Sequence, residues 1–117
     1  MNELVQRLSE GEHPVEASLR PEQKATVLKE RIDLGYVSIK FTDTQGGSEL
    51  SVTLDREACD LSRADFDHQS GGVHLVGELI LNYVQVRCVA DIDLSTLKGK
   101  GHLEPVAELS PADTLSR

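Results

Sequence analysis

Asp65, Asp67, His68 and His74 crowd imidazole and carboxylate groups into one stretch of the chain. Both groups ligate zinc and similar divalent metals, and both exchange protons near neutral pH. The Ser70-Gly71-Gly72 bend allows the two rings to converge, so Asp67, His68 and His74 form the candidate metal set. The competing reading is solvated aspartates and surface histidines, since the spacing matches no established metal signature. A second acidic group pairs Asp91 and Asp93 on one strand face, with Glu78 on a neighbouring strand. Paired carboxylates divide acid and base roles only when their environments differ, and neither aspartate lies in an apolar run.

Nucleophilic chemistry has little support. Cys59 and Cys88 have no histidine at an informative spacing, and Cys88 has the inward parity of a strand, which favours a packed thiol. Lys98 to Gly101 lacks the glycine pattern, the hydroxyl and the helix of a phosphate loop, and reads as a flexible bend. No cofactor is expected.

The elements that must position these residues follow from periodicity. Leu4, Val5 and Leu8 share a helical face, giving a helix over 2–10. Residues 11–20 read as a polar connection. Pro21 suits a first helical position, Ala25, Leu28 and Ile32 form a stripe, and Gly35 is a C-cap, giving a second helix over 21–34. From Tyr36 the period changes to two. Val37, Ile39 and Phe41, then Leu50, Val52 and Leu54, mark strands over 36–42 and 49–54 joined through Gly46-Gly47. Further strands are expected over 73–81, 83–92 and 102–107, the last an edge strand because it holds Pro105. Asn82 marks either a tight turn or a bulge, and the path of residues 55–72 stays open. Residues 110–117 read as a frayed tail.

Cys59-Asp60-Leu61-Ser62-Arg63 and Ala64-Asp65-Phe66-Asp67-His68 resemble two tandem units of the pentapeptide-repeat family. That resemblance implies a square β-solenoid turn. A solenoid buries a core only by stacking many units, and only ten residues match here.

The chain of 117 residues suits one domain, and its net charge of -8 repels a polyphosphate backbone, which argues against nucleic-acid binding. No apolar run is long enough for a membrane span, no signal peptide is evident, and two cysteines make no disulfide framework, so the cytoplasm is the expected compartment.

The fold expectation is one α+β domain over 1–109, with two N-terminal helices packed on a mostly antiparallel sheet of about four to six strands. The leading functional expectation is a non-enzymatic interaction or accessory protein, with a protein partner or a second copy of itself. Its contact residues are the outward-parity Tyr36, Tyr83, Gln85 and Arg87. The alternative is a small-ligand binder or small enzyme, metal-dependent in one version, with a cleft between helices and sheet lined by His68, His74, Glu78 and His102.

Overall fold

From His13 to Ser18 the apolar Val15 and Ala17 alternate with polar neighbours, and this alternation makes a strand where a connection was expected. The computed structural model describes residues 3–20, 22–44 and 46–108. Within them run α1 (Glu3–Leu8), β1 (His13–Ser18), α2 (Ala25–Leu34), β2 (Tyr36–Phe41), β3 (Ser48–Leu54), β4 (Gly72–Leu81), β5 (Val84–Asp93) and β6 (Lys98–Glu108). The second helix starts later than expected, at Ala25, because Glu22 to Lys24 are not helical and Lys24 is its extended N-cap. Residues 2 and 21 and the tail over 110–117 lie outside the described residues.

Each strand pairs antiparallel with the next, and β1 also pairs with β6 through His13–Gly101 to Glu16–Lys98, closing a six-stranded barrel. The expectation of two helices packed on a sheet is therefore corrected. Once β1 joins β2 to β6, the sheet turns its apolar face inward on itself, and two helices of six and ten residues only supplement that core. α1 buries Val5 and Leu8 and packs against β6, while α2 buries Ala25, Leu28 and Ile32 and packs against β2. Gly35 caps α2 at φ 95°, with its N–H donating to the carbonyls of Arg31 and Ile32.

Strand β6 is longer than expected, because Lys98 to Gly101 is strand rather than bend. A Cβ at Gly99 would stand 1.7 Å from the Asp91 carbonyl oxygen, so only glycine lets β6 lie this close to β5. The bare backbone that looks like a flexible loop in sequence is here a close approach.

The wall between β3 and β4 is the least regular. They pair only at Thr53–Glu78 and Leu54–Gly77. A Cβ on Gly77 would meet the Thr53 carbonyl oxygen and Val52 Cγ1 at 2.4 Å, so this glycine sets how tightly the pair can pinch. Toward its start, β4 is edged instead by residues 55–60: the Asp55 N–H donates to the Val76 carbonyl, and Asp60 forms a bridge with His74. Residues 61–70 continue as turns with a bridge between Asp65 and Ser70, and Cys59, Leu61, Ala64 and Phe66 pack against the core. The pentapeptide-like stretch is thus a flap over the barrel wall and not a stacked coil.

His13 ties this architecture to α1. Its Nδ1 lies 2.8 Å from Asp43 Oδ2 and its Nε2 lies 2.9 Å from the Glu10 carbonyl oxygen, while the ring meets Phe41 edge-on. Arg7 donates to the Asp43 carbonyl oxygen at 3.0 Å. Both ring nitrogens face acceptors, so only the doubly protonated imidazolium satisfies both bonds. The hydrogen bond that His13 donates to Asp43, outweighing desolvation, raises the His13 pKa above its ordinary 6.5.

Two outcomes follow from this packing. Gly77→Ala should cost about 1–3 kcal/mol by prising β3 from β4, read as a lowered denaturation midpoint; an unchanged midpoint would show that the pinch relaxes freely. The raised folded-state pKa of His13 means that its contribution is complete below the ordinary value of 6.5 and is lost as pH climbs through the folded value. Denaturation curves from about pH 6 to about pH 9 should therefore show a stability loss in the native chain that His13→Gln lacks. Parallel pH profiles would rule this out.

Candidate functional site

Side chains of alternating parity on β2 to β6 point out of the barrel, and strand register decides which of them meet. The pairings Tyr36–Thr53, Thr53–Glu78, Glu78–Arg87 and Arg87–Glu104 form one continuous row across five strands. At about 4.8 Å per strand, Tyr36 and Arg87 lie about 14 Å apart measured along the wall, which is halfway around the closed barrel. The next outward row holds Ile80, Gln85 and Ala107. Beyond it lies the β4–β5 turn with Tyr83 at its tip. Of the four residues expected to make contacts, Tyr83, Gln85 and Arg87 fall together on the β4–β5 wall, whereas Tyr36 on β2 lies three strands away around the closed barrel. Ile80 and Val106, 56% and 54% exposed, add an apolar element that sequence parity did not single out. Val106 is presented there by a bulge: Gln85 faces Ala107 and Val86 faces Pro105, which leaves Val106 without an opposite residue.

Tyr83 stands out physically. Asn82 and Tyr83 both have positive φ, 49° and 64°, the pattern of a two-residue type I′ hairpin turn. Glycine holds the second of these positions most cheaply, yet a tyrosine occupies it and is 51% exposed. Tyr83 therefore combines a left-handed backbone with an exposed aromatic ring. Arg87 reaches Glu78 only at 3.9 Å with both side chains well exposed, so the pair contributes little to folding and leaves the guanidinium accessible.

The residues considered for ligand or metal chemistry are dispersed. His68 Nδ1 pairs with Asp65 Oδ2 at 2.8 Å on the exposed flap, and this bond holds the Asp65 carboxyl below its usual range. His74 Nδ1 pairs with Asp91 Oδ1 at 2.7 Å on the β4–β5 wall. His102 Nε2 pairs with Glu104 at 3.0 Å, and its Nδ1 lies 3.0 Å from Glu12 as a charge contact without hydrogen-bond direction. Asp67 shares the flap with His68. Among the described residues no three His, Cys, Asp or Glu side chains converge to hold a metal ion.

The cavities separate the candidate ligand residues in the same way. His74 lines an open groove of about 860 Å³ with Arg63, Asp91, Asp93, Lys98 and Lys100. Glu78 lines a different cleft of about 570 Å³, with Thr53, Leu54, Asp55, Leu79, Ile80 and Gln85. The small hollow beside α2, about 350 Å³, is lined by Ile32, Asp33, Leu54, Arg56, Cys59 and Leu61 and takes in none of the four. Asp93, which accepts from the Ser95 hydroxyl and N–H, and Asp60, which accepts from Ser62, are both held below the usual carboxylate range.

The thiols are not primed for attack. Burial pushes Cys88 up to about 12 and also raises Cys59, whose Sγ exchanges hydrogen bonds with the Val76 backbone. What the described geometry offers is a contact surface.

Comparison with known families agrees with a contact role. The family model of the core binding factor beta subunit matches residues 20–114, and the chain belongs to that family. No curated protein matches it. A subunit acts by contact with other chains, so the role of this one is protein interaction.

The Tyr83 turn yields a direct test. Tyr83→Gly should stabilise the isolated chain by about 1 kcal/mol by relieving the left-handed strain, measured by chemical denaturation. A destabilised variant would mean that the ring packs for stability rather than being held out for contact.

Proposed function

We propose that this chain is a non-enzymatic subunit that docks a different protein on the outward wall formed by β4, β5 and the end of β6. The supporting observation is Tyr83, strained and exposed at the hairpin tip beside Ile80 and Val106. Tyrosine and arginine carry a large share of binding energy where they can be desolvated at the centre of an interface. Here Tyr83 supplies aromatic surface, Ile80 and Val106 supply apolar area, and Arg87, Gln85, Glu78 and Glu104 supply a polar rim.

Self-association was expected to use a C-terminal edge strand. β6 pairs with β5 along its length and with β1 over Lys98–Gly101, while Pro105 and the bulge at Val106 make its outer end a poor template. The proposal therefore centres on a heterologous partner. The two free thiols, Cys59 and Cys88, support a reducing compartment, consistent with the cytoplasm.

Native mass spectrometry of the chain isolated from its own cells tests this reading. A complex with a second, different chain is expected. In that complex Tyr83→Ala combined with Arg87→Ala should weaken affinity by roughly 30-fold or more without unfolding the barrel. Recovery only as a monomer or homo-oligomer, or full affinity in the double variant, would overturn it.

A further inference from the structure

We propose that the gap between β3 and β4 is a docking slot for an extended, basic-and-apolar segment of the partner protein, which joins the barrel wall as an added strand. This inference rests on the subunit reading above. Continuing the Thr53–Glu78 register would set Val52 opposite Leu79, Ser51 opposite Ile80 and Leu50 opposite Leu81, but none of these pairs forms. Among the described residues, Ser48–Val52 and Leu79–Leu81 are thus strand backbone with no ladder partner on the sides that face each other. Unpaired strand backbone is a template for a further strand, and the main-chain hydrogen bonds that form supply affinity. The cleft of about 570 Å³ lined by Thr53, Leu54, Glu78, Leu79 and Ile80 opens at the fork of the two strands.

The side chains along the two edges specify the chemistry of the occupant. Leu50 and Val52 are buried, and Leu79 and Leu81 are partly buried against the core, so inward positions of an added strand meet aliphatic neighbours on both sides. Outward positions lie between Glu49 and Ser51 on β3 and Ile80 on β4, with Glu78 and Asp55 at the mouth of the cleft. A segment alternating aliphatic residues with Lys or Arg satisfies both faces. The chain's net charge of -8 favours a basic partner at longer range. The slot spans about five residues, roughly 17 Å of extended chain. It adjoins the Ile80 and Gln85 row of the proposed contact wall, so one partner can occupy both.

The probe is a synthetic heptapeptide of alternating lysine and valine, added to the full chain and followed by amide hydrogen exchange in NMR spectra. Slowed exchange at Ser48–Val52 and Leu79–Leu81 is expected. The same peptide N-methylated at alternate residues keeps its charge but loses ladder donors, and should bind at least about tenfold more weakly. Equal binding of the two peptides, or binding without protection of those amides, would reduce the effect to charge attraction and overturn the proposal. Protection already present without peptide, together with a dimer in native mass spectra, would make a second copy the occupant and overturn it as well. A heteromeric complex sensitive to Tyr83 and Arg87 but without edge protection would leave the subunit reading standing and remove only this inference.

Discussion

Closure of the barrel depends on hydrogen bonding along one six-residue strand. β1 pairs with β2 through Val15–Phe41 to Ser18–Ser38 and with β6 through His13–Gly101 to Glu16–Lys98. Without that double pairing, β2 and β6 would each carry an open edge, and the apolar face of the sheet would need a separate layer to cover it. With it, Val15, Ile39, Phe41, Leu75, Val86, Ile92 and Leu103 bury one another inside the barrel. The helices are then free to be short.

The narrow interior also accounts for the composition. A barrel of six strands leaves little room inside, and its lining uses Ala17, Ala90 and glycines at positions 77 and 101 between larger aliphatics. Phe41 is the one aromatic side chain among the largest fully buried ones, whereas both tyrosines are exposed. The scarcity of aromatics matches a small lumen filled by aliphatic side chains.

Some of this was legible in the residues themselves. The inward alternation of Val37, Ile39 and Phe41 is the alternation of their burial, and of the two readings left open at Asn82, turn or bulge, the structure has the turn between β4 and β5. β1 carries the same signal in Val15 and Ala17, but Pro14 and a run of polar neighbours disguise it. Proline is tolerated near a strand start, where its carbonyl still accepts from the Thr42 N–H. Missing that strand turned a closed barrel into helices on an open sheet. The outward contact wall was harder still, because Glu78, Arg87 and Glu104 share a row only through the registers of two successive pairings. The separation of His68 from His74 is a tertiary fact of the same kind, set by the bridges that lay the flap along β4.

The seam between β1 and β6 also governs how the molecule can assemble itself. β2 through β6 form a meander whose pairings link neighbours in sequence, most directly across the two-residue turn between β4 and β5. The seam instead joins His13 to Gly101, segments at opposite ends of the described chain. Such a contact carries the largest loop-closure entropy of the strand pairings and gains little until the intervening strands are in place. Zipping of this seam is therefore the late, non-local event of folding. A nascent chain must be made as far as β6 before its first strand has both of its neighbours.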